Sequence, residues 1–220
     1  KEKKRFAGNE LRGKTLGVVG LGAIGSKVAR LGLGLGMEVI GFDPALSVEA
    51  AWRLPSEVRR MENLGSLFAR ADFISLHLPV LDSTRHLVNA ESSAGFRKGT
   101  CLLNFARDEI VDIDAVLQAL DAGRLARYIT DFPHPRLIGR RDVILMPHIG
   151  ASTEEAEENC AIMAADQLRA FLEHGNIRNS VNFPALELER TSGSRLALTN
   201  RNIPGMLGNI LSILAGAGIN

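Results

Sequence analysis

Two residues of this chain have the types that acid–base work on a small acid requires. Arg107 follows an apolar run in Asn104-Phe105-Ala106-Arg107-Asp108, and His148 follows another in Met146-Pro147-His148-Ile149-Gly150. A guanidinium grips a planar carboxylate through two hydrogen bonds, while an imidazole, which titrates near neutrality, takes or returns a hydroxyl proton. Taken singly, a loop histidine also suits a turn, and an arginine after a strand suits a surface ion pair. A third feature is the G-x-G-x-x-G pattern of Gly20-Leu21-Gly22-Ala23-Ile24-Gly25. In such a pattern Gly20 permits a tight turn, Gly22 lets a pyrophosphate approach the backbone, and Gly25 lets the following helix pack close. Asp43, in Gly41-Phe42-Asp43-Pro44, stands 18 residues beyond Gly25. A carboxylate there accepts hydrogen bonds from an adenosine ribose and repels the extra phosphate of NADP, which points to NAD. The plainer reading is a turn residue at Asp43 and a tight, ligand-free connection at the glycines.

These residues need a scaffold that brings them to one edge. Short apolar runs read as strands at Leu16–Val19, Glu38–Phe42, Phe73–Leu76, Cys101–Asn104, Tyr128–Thr130 and Val143–Leu145. Between them, helical periodicity marks Ile24–Leu35, with Ile24, Val28, Leu31 and Leu35 on one face, as well as Leu64–Ala69 and Asp112–Leu120. Strands apolar throughout and interleaved with helices predict an α/β fold, a doubly wound parallel sheet of Rossmann type. A longer helix is expected at 153–173. Its apolar stripe runs through Ala156, Cys160, Met163, Ala164, Leu168 and Phe171, with a capping box at Ser152 and Glu155 and a left-handed cap at Gly175. Arg195–Thr199 reads as a strand and Pro204–Ala217 as a helix.

Composition sets limits. The 220 residues carry 26 Lys and Arg against 25 Asp and Glu, a net charge of +1, which argues against an electrostatic nucleic-acid binder. The basic opening Lys1–Arg5 reads as a solvated lead-in. No apolar run approaches membrane-spanning length. Cys101 and Cys160 both read as small core residues, and two distant cysteines fit a reducing cytoplasm. His77, His86, His134 and His174 have no spacing suited to a shared metal.

The ordered series Val19–Gly25, Phe42-Asp43-Pro44, His77-Leu78-Pro79, Asn104–Arg107, Thr130-Asp131-Phe132-Pro133 and Pro147–Thr153 resembles the D-isomer-specific 2-hydroxyacid dehydrogenases. Within them it is most similar to the branch acting on 3-phosphoglycerate at the entry to serine synthesis. The resemblance implies NAD held by Gly20, Gly22, Ala23, Ile24, Gly25 and Asp43, with Leu78, Pro79, Phe105, Ala106, Asp131 and Gly150 toward the nicotinamide. Arg107 would hold the substrate carboxylate and His148 would exchange the C2 hydroxyl proton, both beside the cofactor. Family members add a glutamate that pairs with the histidine; here Pro135 takes that place in Phe132-Pro133-His134-Pro135-Arg136, which predicts weak turnover.

The tail from Arg195 through Asn202-Ile203-Pro204-Gly205-Met206 is similar to the start of an ACT regulatory domain, which implies Asn202 as the ligand of an amino-acid effector such as serine. The expected organisation is a cofactor domain over 1–184 that includes helix 153–173, a linker over 185–193, and an ACT-like start over 194–220. The whole reads as the middle of a longer, homodimeric or higher-order dehydrogenase. Two alternatives stand beside it: a dehydrogenase of another D-2-hydroxy acid, and a non-catalytic NAD-binding or amino-acid-sensing relative.

Overall fold

Each strand of the sheet but the last is followed by a crossover, because its neighbour runs parallel and cannot be reached by a hairpin. The computed structural model describes residues 8–180, 182–189, 193 and 195–219, so Lys1–Arg5 and residues 190–192 of the expected linker lie outside the described residues. The chain divides into two units, Lys1–Gly150 and Ala151–Asn220. The first contains β1 (Thr15–Val19), α1 (Ala23–Gly34), β2 (Glu38–Phe42), α2 (Val48–Trp52), β3 (Arg59–Arg60), α3 (Leu64–Arg70), β4 (Phe73–Leu76), α4 (Ala90–Ala94), β5 (Thr100–Asn104), α5 (Ile113–Asp121), β6 (Leu125–Thr130) and β7 (Val143–Leu145). The second contains α6 (Glu154–His174) and α7 (Met206–Gly216).

The seven strands form one parallel sheet in the order β3-β2-β1-β4-β5-β6-β7. Chain direction across the sheet reverses between β1 and β4, where an open α/β sheet forms its ligand crevice. Alternate residues of each strand feed two cores. Leu16, Val18 and Val39 join Ala29 of α1 on one face. Val19, Ile40, Ile74, Leu76, Leu102 and Tyr128 join Leu67, Phe68, Phe96 and Val116 on the other, where the Phe68 and Phe96 rings meet edge to face at 4.7 Å. Burial on both faces is why these strands are apolar throughout.

Several expectations need correction. The face of α1 turned to the sheet is Gly25, Ala29 and Gly32, while Ile24, Leu31 and Leu35 are 67%, 68% and 56% exposed. Small residues win that face because the helix lies very close to the sheet: a Cβ on Gly32 would stand 2.7 Å from Leu16 Cδ2 and 3.2 Å from Val39 Cγ2. The two-residue β3 and the short helices α2 and α4 carry too little periodicity to stand out in the sequence. Along α6 none of the stripe is buried, and Cys160 is exposed rather than a core residue. The N-cap of α6 is Thr153, whose side chain accepts a bond from the Ala156 N–H at 3.1 Å, so the expected box at Ser152 and Glu155 does not form. Gly175 does cap it in the left-handed conformation, at φ 67°. Residues 195–199 are not a strand, since no neighbouring strand among the described residues offers them a ladder. Helix α7 begins after Gly205, placing Pro204 ahead of the helix instead of in its first turn.

Candidate active site

The glycine turn is built by contact. Gly20 leaves β1 with φ 89°, its N–H donating to the Phe42 carbonyl at 2.9 Å, and a Cβ there would come within 2.4 Å of the His77 carbonyl oxygen. Gly22 then caps α1, with no side chain capping the first-turn N–H groups. Beyond its own atoms and those of its chain neighbours, no heavy atom lies within 4 Å of the place a Gly22 Cβ would occupy. Bare backbone, a helix N-terminus and open space together form a cradle that fits the pyrophosphate of a dinucleotide. Ala23 and Ile24 are exposed at its rim and Gly25 is buried beneath it.

Asp43, just past β2, ties that strand end to the turn. Its Oδ2 accepts the Leu21 N–H at 2.8 Å and its Oδ1 accepts the Ala45 N–H at 2.9 Å. Each carboxylate oxygen keeps acceptor capacity for a ribose hydroxyl. A cavity of 660 Å³ opens beside it, with Leu21, Pro44, Ser47, Trp52 and Arg60 in its wall. Asp43→Ala removes the turn anchor together with the carboxylate that would accept a bond from a ribose. Loss of the anchor weakens NAD and NADP alike, but loss of the charge favours NADP selectively. The ratio of NAD to NADP affinity should therefore fall by about tenfold, on the order of one unit-charge interaction near a surface. Titration with both cofactors checks this, and an unchanged ratio removes Asp43 from ribose recognition.

On the far side of the switch point, β4 is followed by His77, whose N–H donates to Val19 O at 2.8 Å. Leu78 is half-buried and Pro79 exposed beyond it. His77 Nε2 lies 2.8 Å from the Ser75 hydroxyl, and burial pushes the imidazole pKa down to about 4. A histidine buried neutral resists protonation in the folded state only. Its contribution is complete above the ordinary value of 6.5 and is lost as pH falls from there toward 4. Between pH 7 and pH 5 the loss should amount to about 2 kcal/mol. Urea unfolding should show that much extra pH dependence over His77→Gln, and parallel curves for the two proteins would contradict it.

At the end of β5 the fully buried Asn104 does work that the sequence did not reveal. Its Nδ2 donates to the Arg107 carbonyl at 2.9 Å and its Oδ1 accepts the Ala106 N–H at 3.2 Å, which shapes the loop Phe105-Ala106-Arg107. Both polar atoms of a buried amide are thereby satisfied inside its own turn. The Arg107 side chain remains exposed, donating to the Ala106 carbonyl at 2.6 Å.

After β6 comes Asp131, 3% exposed. Its two carboxylate oxygens accept the N–H groups of Ile149 at 3.0 Å and Gly150 at 2.9 Å, clasping the segment that follows His148. His148 itself is exposed at φ 56°, and its ring meets that of Phe132 at 5.1 Å with an interplanar angle of 67°. Pro135 opens a single 3₁₀ turn, Pro135–Leu137. Because every strand is parallel, the glycine turn, Asp43, His77–Pro79, Phe105–Arg107, Asp131 and His148 all follow the carboxyl ends of strands and lie along one edge. Asn202 lies in the other unit, exposed ahead of α7. Among the described residues no group of three or more His, Cys, Asp or Glu is placed to hold a metal, and no helix is long and apolar enough to cross a membrane.

Known proteins are similar to this chain in sequence and in fold. Residues 1–150 match the family described as D-isomer specific 2-hydroxyacid dehydrogenase, NAD binding domain. The chain is 36% identical over 231 residues to the D-3-phosphoglycerate dehydrogenase of Haemophilus influenzae, a match covering 99% of this chain and 55% of the relative. It is 35% identical over 225 residues to that of Methanocaldococcus jannaschii, covering 100% of this chain and 42% of the relative. Among solved structures it is similar to a glyoxylate reductase from Paecilomyes thermophila, with TM-score 0.71, 30% identity, and coverage of 80% of this chain and 54% of that one. It is likewise similar to the D-lactate dehydrogenase from Aquifex aeolicus complexed with NAD and lactic acid, with TM-score 0.65, 28% identity, and coverage of 78% and 59%. The chain spans about half the length of the curated relatives it matches. A parallel sheet whose switch point carries a dinucleotide cradle, in a sequence that matches the family over most of its length, has one assignment: the chain belongs to the D-isomer-specific 2-hydroxyacid dehydrogenases, and residues 1–150 form its NAD-binding domain.

Proposed function

We propose that the full protein transfers hydride between NAD and a D-2-hydroxy acid, with 3-phosphoglycerate oxidised to 3-phosphohydroxypyruvate as the leading reaction. The observation that carries this reading is the shared edge: the dinucleotide cradle and Asp43 lie along it with Arg107 and His148. The names of the relatives support the substrate. Bound NAD supplies the hydride acceptor. Gly20 to Gly25 and Asp43 hold its adenosine diphosphate half, and Leu78, Pro79, Phe105, Ala106 and Gly150 surround the other end. The Arg107 guanidinium pairs with the substrate carboxylate and polarises the C2 oxygen. The His148 imidazole takes the C2 hydroxyl proton and returns it in the reverse direction. These residues supply placement and proton transfer, and the rate gain comes from holding acid, base and acceptor in one geometry.

A homodimer in the cytoplasm fits this reading, with the exposed Ile24, Leu31 and Leu35 of α1 offering an apolar stripe to a second copy. For the tail, the reading is an amino-acid effector, serine, received at Asn202. Full-length protein assayed with 3-phosphoglycerate, D-lactate and glycerate in turn, following NADH absorbance and then adding serine, tests the reaction and the effector. Turnover of 3-phosphoglycerate with serine inhibition is the expected result. Turnover of another acid alone moves the substrate assignment, and NAD binding with no turnover favours the non-catalytic reading. Pro135, in the place of a paired glutamate, is the observation on that side.

A further inference from the structure

We propose that Phe132 is the positioning residue of the His148 imidazole, doing by ring packing what a paired carboxylate would do by charge. This rests on the reading of His148 as the proton acceptor. Three observations carry it. The backbone of His148 is held at φ 56°, an uncommon conformation for a residue with a side chain, which surrounding hydrogen bonds can fix. Those surroundings are the Asp131 carboxylate, which takes the next two N–H groups in sequence. With the backbone held, what is left to decide is the ring, whose χ2 well is broad.

Phe132 directly follows Asp131 and is itself tied down, its N–H donating to the Thr130 hydroxyl at 3.1 Å. Its ring stands edge to face with the imidazole at 5.1 Å, a geometry that aromatic pairs prefer. One short segment, Asp131-Phe132, thus holds both the backbone and the side chain of His148. A carboxylate partner would also stabilise the protonated ring, whereas a phenyl ring orients it without adding a charge. The device therefore accounts for how a chain with Pro135 keeps its base aimed.

Two measurements test it. In this chain, labelled at histidine, the His148 ring protons carry the ring-current shift of Phe132. Phe132→Leu keeps apolar volume and should move those signals to the positions of a solvent-exposed histidine, while Phe132→Tyr should leave them in place. In the full-length protein, Phe132→Leu should lower kcat by about tenfold with KM for the hydroxy acid and for NAD changed by less than about twofold, and Phe132→Tyr should restore kcat. Thermal unfolding of the variants separates this from misfolding. His148 signals that stay put in Phe132→Leu, or a kcat that does not fall in a folded Phe132→Leu protein, overturn the proposal. Absence of any hydroxy-acid turnover in the parent would instead sink the dehydrogenase reading, and the histidine spectra would still decide whether Phe132 holds the ring.

Discussion

Gly25→Ala is expected to collapse the cofactor turn, whereas Gly22→Ala, three residues away, is expected to keep the fold and lose the dinucleotide. At Gly25 an added Cβ would stand 1.9 Å from the Gly20 carbonyl oxygen and 2.9 Å from its carbon. Both are backbone atoms of a turn held by the Gly20 N–H bond to Phe42 and by Asp43 on Leu21, so neither can swing aside as a side chain can. Relief requires lifting α1 from the sheet, which separates Ala29 and Gly32 from Leu16 and Val39. Overpacking against fixed backbone of this kind costs about 3 kcal/mol or more. For a unit of this size that lowers Tm by roughly 10 °C.

At Gly22 the same methyl meets nothing, and φ is −66°, which alanine adopts freely. The stability cost is confined to the poorer N-cap, about 1 kcal/mol or less. The methyl does occupy the space that the pyrophosphate must enter, so NAD affinity should fall by at least about tenfold, or about 1.4 kcal/mol. Thermal unfolding and calorimetric titration with NAD on both variants separate the two roles. Parental affinity in Gly22→Ala would end the assignment of this turn to a dinucleotide, and an unchanged Tm in Gly25→Ala would show that the turn relaxes around the added atom.

The second large effect is expected at His148. His148→Asn in the full-length protein should lower kcat by about a thousandfold, the scale of losing a positioned general base. Asparagine is the informative replacement because it tolerates the left-handed backbone found at φ 56° and keeps the N–H groups of Ile149 and Gly150 on Asp131. The imidazole is exposed, so Tm should stay within about 1 °C of the parent, as for most surface substitutions. A turnover that survives within about tenfold would remove His148 as the proton acceptor. Loss of turnover accompanied by a large fall in Tm would show that the residue serves the loop rather than the chemistry.

How much of this was legible in the sequence differs from residue to residue. The G-x-G-x-x-G turn and Asp43 were, because glycine and a strand-end carboxylate have local backbone requirements that spacing alone displays. So were the main strands and the start of α5, where Asp112 caps the helix by accepting the Asp114 N–H at 2.9 Å. The orientation of α1 was not. Periodicity showed that Ile24, Leu31 and Leu35 share a face, but which face meets the sheet depends on how near the helix lies, and that is a property of the pair. Cys160 and the α6 stripe failed for the same reason: an apolar face says that something is to be covered, not what covers it. Residues 195–199 have strand composition without a strand, since ladder hydrogen bonds need a neighbour.

The site divides along the same line. Sequence by itself determined the residue types and their order: a bare-backbone glycine turn, an acid at the end of the next strand, an arginine and a histidine after apolar runs. Only the tertiary structure decided that these segments share an edge, because the reversal between β1 and β4 and the parallel pairing of all seven strands place every carboxyl end together. It alone decided the supporting groups as well. Asn104 bends the Arg107 loop, Asp131 clasps the residues after His148, and Phe132 meets the imidazole. The Asp131 and Phe132 contacts join residues far apart in the chain, and the energies of all three depend on distance and angle, which residue order does not encode.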